Sequence, residues 1–98
     1  MERTPAVPTV QVDDGTFRVT EWRFDPGTET GWHTHEHPYV VVPLSTGALA
    51  DELDGGGHTV FEYVHGRSYS REPGARHNVV NHNSDVFAFV EIELIPPR

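Results

Sequence analysis

The stretch GTETGWHTHEHPYVVVPLSTG, residues 27–47, organises the rest of this 98-residue chain. Its centre is His33-Thr34-His35, and a third imidazole follows at His37. Side chains along a β-strand alternate between its two faces, so His33 and His35 are expected to project from the same face. Two imidazoles on one face of a rigid element supply two adjacent ligands for a transition metal. Such a site needs at least one more ligand from another part of the chain.

The length and composition restrict the class of protein. A chain of 98 residues is expected to form one domain with a single core. No window approaches the run of ~20 apolar residues that a membrane-spanning helix needs, and the N-terminus lacks the pattern of a signal peptide. The chain has no cysteine, which excludes disulfides, thiolate ligands and a cysteine nucleophile. These features favour a cytoplasmic protein.

The charge of the chain argues against nucleic acid as a partner. Seven basic and 15 acidic residues give a formal net charge of −8, and no basic run offsets it. Such a charge repels a polyanion. The composition is unusual in its seven histidines, more than solvent-facing histidines usually supply in a chain of this length. Four of them, His33, His35, His77 and His82, lie close to strand-like segments.

Short apolar segments separated by glycine and proline turns predict an all-β domain, a sandwich or a barrel. No segment has a sustained helical period with a capping signal. The parity of the apolar residues changes between Val19 and Trp22, which predicts a bulge there. Residues 1–9 contain two prolines and are interpreted as an N-terminal arm. The predicted strands are residues 9–13, 17–24, 30–36, 39–44, 48–53, 59–64, 67–71, 75–81 and 86–95.

The last predicted strand is the longest and has two distinct faces. One face carries alternate aliphatic residues from Val86 to Leu94. The other face carries Phe87 and Phe89 together with two glutamates. This period of two is typical of a strand that presents different faces to different surroundings.

Two blocks of spaced residues carry a family resemblance. The first block is residues 27–47, and the second runs from Gly66 through Gly74 to His77 and Asn81. Together they resemble the paired cupin motifs G-x5-H-x-H-x(3,4)-E-x6-G and G-x5-P-x-G-x2-H-x3-N. The residues at the motif offsets are Gly27, His33, His35, Gly47, Gly66, Gly74, His77 and Asn81.

The resemblance implies a single cupin domain over residues 1–98 with the double-stranded β-helix, or jelly-roll barrel, fold. In that family the motif histidines converge on a divalent metal inside the barrel. Carried over to this chain, the ligands would be His33, His35 and His77. Asn81 would have a structural role.

The chain departs from the motifs at two positions. The family's glutamate ligand would fall at Val40, or at Tyr39 on the shorter spacing, and neither residue is a carboxylate. The proline of the second block is replaced by Glu72, and Pro73 follows it. The resemblance therefore implies a three-histidine site without an anionic protein ligand. Imidazoles suit Fe, Zn, Ni, Mn or Cu, with Fe or Zn favoured, better than Mg or Ca.

A divalent ion held by neutral ligands keeps its full charge and should attract a small anionic chelator, such as an enolate, a diketone or a carboxylate. Three protein ligands leave coordination positions open for such a molecule. The resemblance implies an iron-dependent dioxygenase or related oxidoreductase acting on a diketone-, thiol- or carboxylate-like metabolite. The alternatives are a non-catalytic metal- or ligand-binding or sensing cupin and a metal-independent isomerase or epimerase.

The remaining polar residues have simpler interpretations. We interpret His37 as a rim residue, and His58, His65 and His82 as solvated residues beside turns. Tyr39 could offer its phenol to the metal or pack in the barrel mouth. Glu36 and Glu72 are expected at exposed turns. We also expect a homodimer, because a chain this small exposes sheet edges that self-association would cover.

Overall fold

Nine short β-strands joined by turns form the computed structural model, which describes residues 3–96. The strands are β1 (Val7–Asp13), β2 (Phe17–Phe24), β3 (His33–Thr34), β4 (Tyr39–Pro43), β5 (Gly47–Leu53), β6 (His58–Tyr63), β7 (Tyr69–Arg71), β8 (Arg76–Val80) and β9 (Phe87–Leu94). No helix occurs between residues 3 and 96, so this part of the chain offers no helix able to cross a membrane. The all-β prediction is confirmed.

The strands form two antiparallel sheets that the chain enters alternately. One sheet has the order β1-β2-β9-β4-β7 and the other the order β3-β8-β5-β6. Sequence neighbours such as β4 and β5 lie in different sheets, so most connections pass from one sheet to the other. This arrangement is the jelly-roll topology that the cupin resemblance implies.

The core lies between the inner faces of the two sheets. Phe87 and Phe89, on the aromatic face of β9, are each only 2% exposed. The Phe89 ring packs on Phe24 of β2, with ring centroids 5.5 Å apart, and lies parallel to Tyr63 of β6 at 6.0 Å. Large aromatic side chains from both sheets therefore close the interior, where each buries a large apolar area.

The predicted bulge between Val19 and Trp22 is wrong. β2 pairs with β9 without interruption, and the irregularity lies instead in β1, between Val10 and Val12. Thr20 is buried although it is polar, and Val19 is only half-buried. The alternation of apolar residues along β2 is interrupted because a threonine occupies an inward position, not because the backbone is distorted.

The predicted N-terminal arm is largely part of the fold. β1 begins at Val7, and Ala6 is buried. The backbone N–H of Ala6 donates to the carbonyl of Glu29 at 2.7 Å, and Pro5 forms a bridge with the same residue. The first two residues of the predicted arm lie outside the described range.

Candidate metal centre

The three motif histidines meet because the two motif blocks pair with each other. His33 of β3 lies opposite His77 of β8 in the strand register. His35 lies beyond the two-residue β3, so the predicted strand over residues 30–36 is much shorter than expected. The pairing nevertheless continues, because the His35 N–H donates to the carbonyl of Ala75 at 3.0 Å and the His35 carbonyl accepts from the Gly74 N–H at 2.8 Å. His33 and His35 therefore keep the common face that strand alternation predicted.

The ring nitrogens of the three histidines converge on one point. His33 Nε2 lies 3.0 Å from His35 Nε2, which lies 3.2 Å from His77 Nε2. The three ligand atoms all lie within 4.8 Å of one another. His35 and His77 are each 6% exposed, and His33 is half-buried. The centre is thus largely shielded, with His33 on its more open side.

Two hydrogen bonds determine which nitrogens face the centre. His33 Nδ1 lies 2.8 Å from the carbonyl oxygen of Gly31, and His77 Nδ1 lies 3.2 Å from Asp51 Oδ2. Both partners are acceptors, so the proton of each neutral ring sits on Nδ1 and the lone pair on Nε2. Two lone pairs therefore face His35 Nε2, which can donate to only one of them.

Burial keeps His33 and His35 uncharged. Burial, with smaller contributions from the nearby His33, His77 and Arg71, lowers the pKa of His35 to about 3. Burial likewise lowers the pKa of His33 below its ordinary value. Neutral imidazoles are the form that binds a metal ion.

The donor set fits a transition-metal ion. Two nitrogens held ~2.1 Å from one ion, at angles between a right angle and a tetrahedral one, lie ~3.0–3.4 Å apart. The two nitrogen–nitrogen distances of 3.0 and 3.2 Å fall in this range. A cation between the rings would also remove the repulsion between nitrogen lone pairs that face each other. His33, His35 and His77 could therefore hold a divalent ion of the kind that accepts nitrogen ligands.

Asp51 and Arg71 form a charged pair beside the centre. Arg71 Nη1 lies 3.8 Å from the same Asp51 oxygen that contacts His77. The guanidinium also lies over the rings of Phe61, at 5.2 Å, and Tyr69, at 5.6 Å. Cation–π contacts of this kind favour a fixed position for the arginine. Asp51 is thus held between a histidine and an arginine.

Tyr39 takes the inward position where the shorter motif spacing places the family's glutamate. Its ring stacks on His35 with centroids 3.9 Å apart and an interplanar angle of 21°. Burial raises the pKa of Tyr39, so the phenol keeps its proton. Val40 is exposed and therefore points away from the centre. A tyrosine packed against a histidine replaces the motif carboxylate.

The other predicted polar residues do not join the centre. His33, His35 and His77 are the one cluster of three or more metal-ligand-type side chains found within residues 3–96. His37 is half-buried outside this cluster. The exposed residues are His58, His65, His82, Glu36 and Glu72.

Asn81 joins the loops that flank the centre. Its side chain is fully buried, and Nδ2 donates to the carbonyls of Phe24 at 3.1 Å and Asp85 at 3.0 Å. Its backbone N–H donates to Thr28 at 2.9 Å, and its carbonyl accepts from Gly27 at 2.8 Å. These bonds agree with the structural role that the resemblance implies for this asparagine.

Asp51 and Glu91 are polar residues of the interior that the sequence analysis did not select. Asp51 is separated by one residue from the buried Leu49, and Glu91 by one residue from the buried Phe89. The alternation of inward and outward side chains along each strand therefore indicates that both residues face the interior. The motif spacing gives no such indication, because neither residue belongs to a motif block.

The comparisons with known proteins agree with this geometry. The chain is 50% identical over 93 residues to the beta-alanine degradation protein BauB of Pseudomonas aeruginosa, covering 94% of this chain and 96% of that protein. The crystal structure of a cupin domain from Bordetella pertussis is also 50% identical and superposes with a TM-score of 0.91, covering 96% of this chain and 97% of that one. The chain belongs to the cupin family.

More distant cupins share the fold alone. A RmlC-like cupin from Desulfovibrio desulfuricans is 22% identical, with a TM-score of 0.66 over 91% of this chain and 82% of that one. No family model matches the chain. The cupin assignment therefore rests on the close relatives, and the jelly-roll prediction is confirmed.

Proposed function

We propose that this cupin binds a divalent transition metal through His33, His35 and His77 and uses it to act on a small chelating metabolite. The observation that carries the proposal is the convergence of three Nε2 atoms within 4.8 Å of one another, with two of the separations, 3.0 and 3.2 Å, suited to one ion. The leading activity is that of a non-haem Fe(II) dioxygenase or a related oxidoreductase. The ligand class is diketone-, thiol- or carboxylate-like.

Among these three classes of metabolite, we favour the carboxylate-like class. The name of the 50% identical Pseudomonas aeruginosa relative connects that protein with the degradation of β-alanine. β-Alanine is a short carboxylate with a second polar group, and molecules of this shape can offer a metal two donor atoms. We therefore propose a short-chain carboxylate as the metabolite of this cupin.

Several side chains would prepare the site for such a ligand. A bound ion would supply Lewis acidity and, if redox-active, a position for dioxygen. Asp51 and the Gly31 carbonyl hold the rings of His77 and His33 in the orientation that binding to a metal ion requires. Arg71 adds positive charge beside the centre, which favours an anionic ligand. The stacked Tyr39 fixes His35 and limits the access of water.

Metal analysis tests the proposal. We expect about one equivalent of transition metal in the protein purified without added salts, and loss of that metal in His33→Ala. His65→Ala, at an exposed histidine, is the matched control and should keep the metal. Oxygen consumption by the iron-loaded protein with diketones, thiols and short carboxylates then tests the activity. Absence of metal from both the wild type and His33→Ala would contradict the proposal and favour a metal-independent isomerase or epimerase.

A binding or sensing cupin is the second candidate. The cavity that His77 lines has a volume of only about 10 Å³, which is about the room that one water needs. A metabolite could therefore reach the metal only from the more open side. A metal-loaded protein that consumes no oxygen with any substrate of the three classes would favour this candidate over the dioxygenase.

A further inference from the structure

Glu91 is a carboxyl group inside the barrel. It lies on β9 in the same inward row as Phe87 and Phe89, and only 8% of it is exposed. Its neighbours across the sheet are Thr20 of β2 and Val41 of β4, both buried. The side chain is therefore largely shielded from bulk water.

The structure provides Glu91 with no compensating partner within residues 3–96. Burial is the main influence on its ionisation and the neighbouring Glu93 the second, and no hydrogen bond or cation contributes. Arg71, the cation of the interior, is paired with Asp51. A carboxyl on a largely buried side chain is costly to ionise when no cation lies beside it, so such a group points to a function.

Glu91 lines the same small cavity as His77, one of the three histidines of the candidate centre. This cavity has a volume of about 10 Å³. Its size suits one water molecule, and its walls supply the polar partners that a buried water needs. A single water could thus connect the carboxyl with a ligand at the centre.

Glu91 carries its proton at neutral pH. Burial, with a smaller contribution from the charge of Glu93, raises its pKa to about 8. A protonated carboxyl can donate a hydrogen bond, which an ionised one cannot. The titratable or charged groups that share the cavity are Tyr39 of β4, Asp51 of β5, Tyr63 of β6, Tyr69 and Arg71 of β7, and His77 of β8.

We propose that Glu91 exchanges a proton, through a water in the shared cavity, with an anionic ligand bound at the three-histidine centre. The inference rests on the proposed metal-binding function and adds a residue to it. In the forward direction the carboxyl O–H bond breaks, the water passes a proton to a ligand oxygen, and Glu91 remains as a carboxylate. Release of the protonated ligand and uptake of a proton from solvent restore the acid.

The test measures the affinity of the zinc-loaded protein for malonate by calorimetry as a function of pH. Malonate is a small chelating dianion whose charge does not change near neutral pH. In the wild type the affinity should fall about tenfold between pH 7 and pH 9, because binding requires one proton on a group that titrates near pH 8. Glu91→Gln keeps a hydrogen-bond donor at every pH and should lose this dependence. Glu93→Gln, on the same strand but outside the cavity, should keep the dependence and move its midpoint to lower pH, because it removes a charge that contributes to the raised pKa of Glu91.

A second measurement does not depend on the metal. Infrared spectra at neutral pH should show the carbonyl band of a protonated carboxyl in the wild type and in Glu93→Gln, and not in Glu91→Gln. Equal pH dependence of malonate binding in the wild type and Glu91→Gln would overturn only the role of Glu91 and would leave the metal-binding function in place. Failure of all three proteins to take up zinc would overturn the metal-binding function and, with it, this inference.

Discussion

At the scale of single residues, one carboxylate controls how His77 faces the candidate metal centre. Asp51 Oδ2 accepts from His77 Nδ1 at 3.2 Å, which leaves Nε2 free to bind an ion. A carboxylate in this position also makes the imidazole a stronger ligand. Asp51 is buried, so its charge is poorly screened by water. The residue should therefore act on metal affinity without contacting the metal.

Asp51→Asn should weaken zinc binding ~10–100-fold, as is usual when the partner of a metal-binding histidine is changed. The amide keeps the shape of the side chain but removes its negative charge. Competition with a chromogenic chelator measures the affinity. Asp54→Asn, in the exposed loop after β5, is the control and should leave it unchanged. Equal zinc affinities for the wild type and Asp51→Asn would show that His77 needs no carboxylate.

Glu91 should make the stability of the protein depend on pH. Its pKa is about 8 in the folded chain against an ordinary value of 4.5, so the folded state binds the proton more tightly than the unfolded state. The contribution of Glu91 to the free energy of unfolding is therefore fully present below pH 4.5. It is lost as the pH rises towards 8, by ~1.4 kcal/mol per pH unit within this window. Urea unfolding at a series of pH values should show the full loss in the wild type, a slightly smaller loss in Glu93→Gln, which lacks a charge that contributes to the raised pKa, and the smallest loss in Glu91→Gln. A parallel loss in both variants would assign it to other groups.

The sequence allowed the histidines to be selected but not the interior carboxylates. His33, His35 and His77 could be selected because a family motif fixes their spacing, and all three meet. Asp51 and Glu91 lie on strands outside both motifs. Their burial depends on which face of each strand points inward, and this is decided by the packing of the two sheets. A glutamate within an alternating strand looks the same in sequence whether it faces water or a cavity.

At the scale of elements, the turn before β8 places His77 opposite the first motif. The Gly74 N–H donates to the His35 carbonyl at 2.8 Å, which joins this turn to the segment that carries the other two histidines. Gly74 has a φ of 111°, a conformation that other residues rarely adopt. The glycine is therefore needed for its backbone conformation and not for lack of space, because a Cβ there would meet no atom within 4 Å.

Gly74→Ala should destabilise the fold by ~1–3 kcal/mol through backbone strain and also weaken metal binding. Gly57→Ala is the matched control, because Gly57 does not have a positive φ and its new Cβ would meet Leu53 at an ordinary 3.9 Å. That change should be neutral or slightly stabilising. Thermal unfolding and the chelator competition compare the two variants. Equal melting temperatures would contradict the argument from backbone strain.

The positions of the strands could be predicted better than their pairing. Glycine and proline turns separate the strands, so eight of the nine predicted segments differ from the observed strands by at most two residues at either end. The exception is the segment over residues 30–36, of which only His33–Thr34 is regular strand. The segment around His35 pairs with the turn at Gly74 instead of with a full strand. Pairing of this kind depends on the tertiary fold, which local sequence does not contain.

At the scale of the whole molecule, the two sheets differ in width. The sheet that contains β1 has five strands and the facing sheet has four. β1 is an edge strand, and every one of its residues is exposed. Val10 is opposite the inward-facing Thr20 and yet remains 58% exposed, so the facing sheet does not cover this edge. An uncovered apolar edge with free backbone groups is suited to pairing with another strand.

We expect a second copy of the chain to cover this edge, because a symmetric dimer lets the two β1 strands cover each other. Light scattering should then give a mass of twice 11.0 kDa for the wild type. Val10→Glu should shift the protein towards the monomer, since it places a charge against its own copy in the interface. Val60→Glu is the matched control, because Val60 is 63% exposed on β6 at the edge of the other sheet. A monomeric wild type would show that the edge stays open, and a dimer lost only in Val60→Glu would place the interface on the four-stranded sheet.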